Sequence, residues 1–510
     1  MPVVPAILAV LALQPALARG PCGTLELREA RKYSADASGR PDSVGYVDSS
    51  VYPIRVHYRR EEDADRAATV VLPAAELAWQ VEVDQMGWLE PTVDAEIGGD
   101  VDRFDYYLTN EETAGGGWTW GPYRDVYADD DYYSIAAFVA LDDRYITDND
   151  MPDFVVHEFN HALQYRIDGV EATSFVWEST AQAMEELVLP DSNLYAIDIA
   201  DFNDLPFASL LFDGYSDEVT AYNEYSLYEY GGNIAGLYLE QAYGNNDGTT
   251  LLQLWLDLAQ GGDRTSPDYI DALALAGGDA APTYEDVYLG LAEWRMFIAD
   301  DDDGAHYLEA ADWPRTARVA REPDIALSAA EAGVAGVSVT PVDAPYDLGT
   351  SYFDVTLDAD LTLPLHVVVD GDDASQWGVV AAAWQDGAAA RVVKARAEAD
   401  APLEVDLDLT GATQVRIGVA NLGAPNLAAG GRHPRRDFTL TLTRTSSGSG
   451  DDSGEGSGND SSSNPEAKAG CGCTTGSDPL GAPLGAPLTG TSLLAVAALT
   501  MLRRRNTPCS

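Results

Sequence analysis

His157 and His161 flank Glu158 within the stretch "DFVVHEFNHALQY", Asp153 to Tyr165. On a helix, positions i and i+4 project from one face a turn apart. Two imidazoles so placed can share one Zn2+ while the carboxylate between them reaches a water on the metal. The chain has only six histidines, so a chance H-E-x-x-H is rare at this composition. Asp150 stands at the expected N-cap, and Pro152 is tolerated in a first turn. Val155, Val156, Phe159, Ala162 and Leu163 give the same helix an apolar face.

A catalytic zinc needs a third protein ligand and one open position. The metzincin extension asks for glycine and histidine where this chain has Gln164 and Ile167, and no histidine follows until His306. The third ligand is therefore expected to be a carboxylate, as in gluzincins. "FVWESTAQAMEEL" offers Glu178, Glu185 and Glu186 on a second helix. Glu178 comes first after the loop "RIDGVEATS" and sits among Phe175, Val176, Trp177 and Ala181. An unpaired carboxylate would be costly to bury there, and metal coordination explains it. Glu185 and Glu186 read as supporting or solvated groups, and Asp168 and Glu171 in the loop stand behind Glu178.

The elements that must position these residues change character along the chain. Residues 19 to about 150 mix β-like runs such as "TVVLP" and "YSIAAFVAL" with Gly- and Asp-rich turns, and "IAAFVAL" predicts a buried strand ahead of the histidines. From about 150 to 300 the spacing is helical, giving an α+β arrangement for a domain over 19–334. From 335 to 445, "YFDVTL", "LPLHVVVDG", "WGVVAAAW", "LEVDLDL", "QVRIGVAN" and "DFTLTLTR" predict an antiparallel β-sandwich. Residues 446–470 form an acidic Ser/Gly linker too polar to fold.

Both ends carry addressing signals. The run Val3–Leu13 followed by Ala16-Leu17-Ala18 reads as a signal peptide over 1–18. At 471–510, Cys471-Gly472-Cys473, an apolar run to Leu502 and Arg503–Arg505 closely resemble the MYXO-CTERM sorting signal of myxobacteria. That resemblance implies a sorting protease acting near Cys471 or Cys473, display at the cell surface or secretion, and membrane contact only through this segment. The four cysteines lie at Cys22, Cys471, Cys473 and Cys509, so no disulfide or Cys-zinc site can hold the domains. With 84 acidic against 30 basic residues, the formal charge of -54 excludes nucleic acid and anionic membrane surfaces as partners. Asp129–Asp131 and Asp300–Asp303 are carboxylate runs that could take structural Ca2+, or simply face water.

Taken together, H-E-F-N-H-A-L-Q-Y, W-E-S-T-A-Q-A-M-E-E and Y-x-Y-G-G-N-I-A-G-L-Y-L-E resemble a family of myxobacterial secreted metalloproteases. That group is gluzincin-like, distantly related to thermolysin and aminopeptidase types, and the likeness spans roughly residues 30 to 300. It implies Zn2+ on His157, His161 and Glu178, Glu158 as general base, and a protein or peptide substrate. "YEYG" is similar to the Y-x-x-G of aminopeptidase-type gluzincins, which assigns the oxyanion donor to Tyr228, with Tyr230 and Tyr225 behind it. No G-x-M-E-N element is present to grip a free N-terminus, which favours an endopeptidase. The contrasting expectation is a non-enzymatic surface adhesin with a structural or vestigial metal site, for which a base between the ligands has no use.

Overall fold

The computed structural model describes residues 40–444, apart from 93–101, 111–115, 122–131, 225, 261–267, 328–335, 358–363, 386–387 and 398–400. The four cysteines, both addressing segments, the linker, Asp129–Asp131 and Tyr225 lie outside the described residues. The protein is mixed α and β with several sheets.

Five strands make the N-terminal sheet: β1 (Gly45–Asp48), β2 (Ile54–Tyr58), β3 (Phe104–Thr109), β4 (Gly117–Trp120) and β5 (Phe138–Asp142). Their order is β1-β2-β3-β5-β4, with β2, β3 and β5 parallel and β4 antiparallel at one edge. Every residue of β3 and β5 is buried, as parallel strands covered on both faces require. The seven helices that matter to the site are α1 (Met151–Asp168), α2 (Ser174–Val188), α3 (Tyr228–Gly231), α4 (Asn233–Ala242), α5 (Thr249–Leu258), α6 (Tyr269–Ala276) and α7 (Tyr284–Trp294). Helix α1 starts where Asp150 and Pro152 indicated, but no side-chain cap bond forms. The Thr147 hydroxyl donates to the Asp150 carboxylate instead, at 2.8 Å.

"TVVLP" is helical rather than extended. Residues 61–85 form one helical segment that alternates between α and π geometry, with π turns over Ala67–Val71 and Trp79–Gln85. Val71, Leu72, Ala74, Ala75, Ala78 and Trp79 recur at helical spacing and are buried in the core that also holds α1. That packing outweighs the local strand preference of Thr69-Val70-Val71.

The C-terminal strands begin at Ile325, not at 335. One sheet runs β11-β10-β13-β8-β6 and the other β12-β9-β14-β7. The first contains β6 (Ile325–Leu327), β8 (Gly349–Leu357), β10 (Gln376–Gln385), β11 (Ala388–Ala397) and β13 (Ala412–Gly423). The second contains β7 (Val337–Val339), β9 (Leu365–Gly371), β12 (Leu403–Leu407) and β14 (Phe438–Arg444). The pairing is antiparallel throughout except between β6 and β8, which are parallel. Both sheets contribute to one core, with Val379, Val415 and Ile417 from one and Val367, Leu440 and Leu442 from the other. The opposite face of the larger sheet sends Tyr352, Val380, Ala382 and Leu422 into the core shared with the helices. Arg416, wholly buried, bonds Asp354 at 2.7 Å and Asp301 at 3.1 Å on the same seam.

The carboxylates of Asp300–Asp303 fan out instead of converging. Asp300 faces Arg315, Asp301 faces Arg321 and Arg416, and Asp303 accepts from His306 Nδ1 at 2.7 Å. His306 also lies 3.5 Å from Glu293 of α7, whose other oxygen holds Lys394 of β11 at 2.5 Å. Burial works against the charged ring, yet Glu293 and Asp303 outweigh it and raise the His306 pKa above its usual 6.5. The stabilisation from His306 is therefore fully present below about pH 6.5 and disappears as pH rises through the raised value. The Tm difference between wild type and His306→Ala should shrink steadily from pH 6 to 9; a constant difference would remove the ring's charge from the clamp.

Candidate metal centre

Helix α1 brings His157 and His161 to one face, and α2 returns against it with Glu178 opposite. His157 Nε2 and His161 Nε2 are 3.1 Å apart, and Glu178 Oε2 is 3.2 Å from each. A tetrahedral zinc with ligands at about 2.05 Å spaces them about 3.3 Å apart. All three groups are buried, with His161 and Glu178 at zero exposure and His157 at 3%. Among the described residues this is the one cluster of three or more His, Cys, Asp or Glu groups with metal-binding geometry.

The bonds behind the imidazoles fix which nitrogen faces inward. His157 Nδ1 lies 3.1 Å from Glu185 Oε1, and a ring N–H on Nδ1 donates to that oxygen. His161 Nδ1 lies 2.7 Å from Gln164 Oε1, and the Gln164 amide nitrogen donates to the Trp177 carbonyl at 3.1 Å. A carbonyl only accepts, so the amide is oriented with its oxygen to His161. With the rings neutral, both Nε2 atoms are left as acceptors that converge on a third acceptor, Glu178 Oε2. The other Glu178 oxygen, Oε1, is buried and has no hydrogen-bond partner among the described residues. Three lone pairs and an orphaned oxygen in a dry site call for a cation.

Titration behaviour points the same way. Burial opposes ionisation of His157, but Glu178 and Glu185 overcome it and raise the ring to about 10. Burial opposes ionisation of Glu178 too, and His161 and His157 override it to hold the carboxyl down at about 2. The site stabilises positive charge between these groups, and a divalent metal supplies it at all three acceptors where one proton serves one.

Glu158 points off the triad toward the sheet edge. Thr119 Oγ1 of β4 lies 2.7 Å from both the Glu158 carbonyl and its Oε2, and a Cβ on Gly117 would come within 2.8 Å of Glu158 Cγ. Strand β4 therefore rests directly on this carboxylate.

The tyrosines separate clearly. Tyr228 is not brought to the centre: its hydroxyl donates to the carbonyls of Ser209 at 3.0 Å and Ala208 at 3.3 Å. Its ring packs against Phe202 and Phe175. Tyr230, also on α3, stacks on His157 with ring centroids 5.9 Å apart and planes 13° apart. Residues two apart on a helical turn point to opposite sides, so only one of the pair can face α1. Glu186 turns away from the triad toward Glu309, and burial together with that neighbour pushes its carboxyl up to about 8. Sequence reasoning missed Thr119, for which no spacing signal exists.

No family model matches the chain, and no curated protein matches it. Over 24% of its length it is similar to the whole of a periplasmic inhibitor of g-type lysozyme from Aeromonas hydrophila, at 14% identity and a TM-score of 0.15. Over 58% of its length it is similar to a family GH115 4-O-methyl-α-glucuronidase with specificity for decorated arabinogalactans, at 10% identity and a TM-score of 0.14. The chain covers 42% of that glucuronidase. Likenesses this weak carry no assignment, and the centre is read from its own geometry.

Glu185 orients a ligand without being one. Glu185→Ala should weaken divalent-metal binding by about 10- to 100-fold, the usual effect of removing such a partner. Competition with a chromophoric chelator measures this, and unchanged affinity would show that the ring needs no anchor.

Proposed function

We propose that this protein is a zinc-dependent peptidase of gluzincin type, with His157, His161 and Glu178 as metal ligands and Glu158 as general base. The observation that carries the reading is the convergence of two imidazole nitrogens and one carboxylate oxygen on a single buried point. Two nitrogens and one oxygen at these separations suit Zn2+ in a three-ligand catalytic set. The metal, when bound, supplies Lewis acidity that acidifies water and polarises a peptide carbonyl.

The remaining work falls to the chain's own groups. Glu158 takes a proton from the attacking water and passes it to the leaving amine, and Thr119 holds its carboxylate in place. Tyr230, alongside His157, replaces Tyr228 as the donor for the developing oxyanion. No G-x-M-E-N element is present to grip a free N-terminus, which favours an endopeptidase acting on an internal stretch of polypeptide. The two C-terminal sheets read as a β-sandwich appended to the peptidase domain. With a signal peptide and sorting tail, the enzyme works at the cell surface or as a secreted protein. Among the described residues no helix is long and apolar enough to cross a membrane.

Glu158→Gln should retain one zinc per chain while cleavage of unfolded casein falls by about 100-fold or more. Normal turnover in that variant would end the mechanism, and a zinc-loaded wild type inert toward peptides would favour the adhesin. Tyr230→Phe should lower kcat by about 100-fold with metal retained, whereas Tyr228→Phe should cost about 1 kcal/mol of stability and little kcat. The reverse pattern would restore Tyr228 to the role.

A further inference from the structure

Behind His161 runs a chain of hydrogen bonds that the metal site alone does not require. Gln164, which accepts from His161 Nδ1, uses its amide nitrogen to donate to Asn160 Oδ1 at 2.8 Å. The same nitrogen also reaches Thr180 Oγ1 at 2.9 Å and the Trp177 carbonyl at 3.1 Å. Asn160 Nδ2 then donates to Glu82 Oε2 at 2.9 Å. Donation thus runs one way, from His161 through Gln164 and Asn160 to Glu82, across 78 residues of sequence at its last bond. Asn160, Gln164, His161 and Glu82 are all at zero exposure.

Glu82 is an unusual residue to find at the end of such a chain. It lies in the π turn Trp79–Gln85, a geometry that often marks functional positions. Its second oxygen, Oε1, is buried with no hydrogen-bond partner among the described residues. Burial pushes its carboxyl well above the usual carboxylate range, and the opposing pull of Asn160 and His157 does not reverse it. Glu82 Oε2 thus accepts at the inner end of the relay.

We propose that Glu82 is a positioning residue for the metal centre, holding the Asn160 and Gln164 amides so that His161 keeps its proton on Nδ1 and turns Nε2 to the metal. An Asn160 side chain turned over would set its NH2 against the NH2 of Gln164 and its oxygen against Glu82 Oε2. Glu82 blocks that rotation, and with it any displacement of Gln164 from His161. The inference rests on the metal-site reading but not on peptidase activity.

The test uses the full chain loaded with Co2+ in place of zinc, read by visible absorption and by affinity against a chelator. Glu82→Gln keeps an uncharged acceptor in the same place and should match wild type in both. Glu82→Leu leaves Asn160 Nδ2 without an acceptor and should bind about tenfold more weakly, with a shifted cobalt spectrum. If Glu82→Leu does not fold, Asn160→Ala cuts the relay at its middle and should give the same weakening and spectral shift. Wild-type affinity and spectrum in the folded Leu variant, or in Asn160→Ala, would overturn the proposal. So would a Gln variant as impaired as Leu, because charge rather than acceptor placement would then be what matters. A wild-type chain that binds no divalent metal would overturn this inference together with the metal-site reading.

Discussion

Three hydrogen-bond acceptors point at one spot inside this protein, and little in the helical part can be understood without that fact. His157 Nε2, His161 Nε2 and Glu178 Oε2 sit 3.1 to 3.2 Å from one another with no water-exposed face to relieve them. Buried lone pairs at this spacing repel, and each unpaired acceptor also forfeits its hydration. No lysine or arginine bonds Glu178 among the described residues; its partners are the two rings. A fold that kept such a cluster without a cation would be carrying an avoidable cost in its core. With a divalent cation at the centre, the same burial strengthens every ligand interaction because competing water is excluded.

The constraint reaches outward through close packing. To bury α1 on nearly all sides, the chain lays the N-terminal sheet against one flank and the 61–85 helical segment, α2 and α5 against the others. Close approach is bought with glycine where it is needed. At Gly117, a side chain would collide with Glu158 and lift β4 from the base. At Gly236, a Cβ would meet the Cβ of Ala183 at 2.9 Å, so glycine lets α4 press on the helix that presents Glu178. The larger C-terminal sheet packs on α7, and Arg416, paired with Asp354 inside that sheet, reaches Asp301 in the segment following α7. The helical region is therefore flanked by sheets made at opposite ends of the sequence, one on α1 and one on α7.

How much of this was readable from sequence depended on how local its cause was. The His157–His161 pair needs only helical spacing, and Glu178 betrayed itself as an acid in an apolar helix. Tyr228 against Tyr230 could not be decided that way, because which side of a short turn faces α1 is set by how that turn docks. Thr69-Val70-Val71 carries a real local strand preference, and the helix there forms because Ala74, Ala75, Ala78 and Trp79 find a surface to bury against. Strand β11, "AAARVVKARA", lacks clean alternation, although Asp386-Gly387 just before it is a hairpin-turn signal in the sequence. It is extended because β10 offers it a ladder from Trp377 to Gln385. Asp300 to Asp303 look equivalent in sequence, yet each meets a different partner, a distinction that only tertiary structure creates.

The carboxyl groups around the centre make a final point about charge in so acidic a chain. Glu178, Glu82 and Glu229 are all fully buried within one region, and their surroundings divide them. Glu178 faces two imidazoles and is held down at about 2. Glu82 faces one amide, and Glu229 meets the Gly214 N–H at 2.6 Å, and burial drives both well above the carboxylate range. Amide and backbone N–H dipoles do not offset the loss of hydration at Glu82 and Glu229, whereas the two ring nitrogens beside Glu178 do. Burial disfavours the charged forms of Glu82 and Glu229, so among these three the attraction for a cation is greatest at Glu178, the one with ring nitrogens beside it. In a chain with nearly three acidic residues for every basic one, this carboxylate is set apart less by its negative charge than by the two rings that face it.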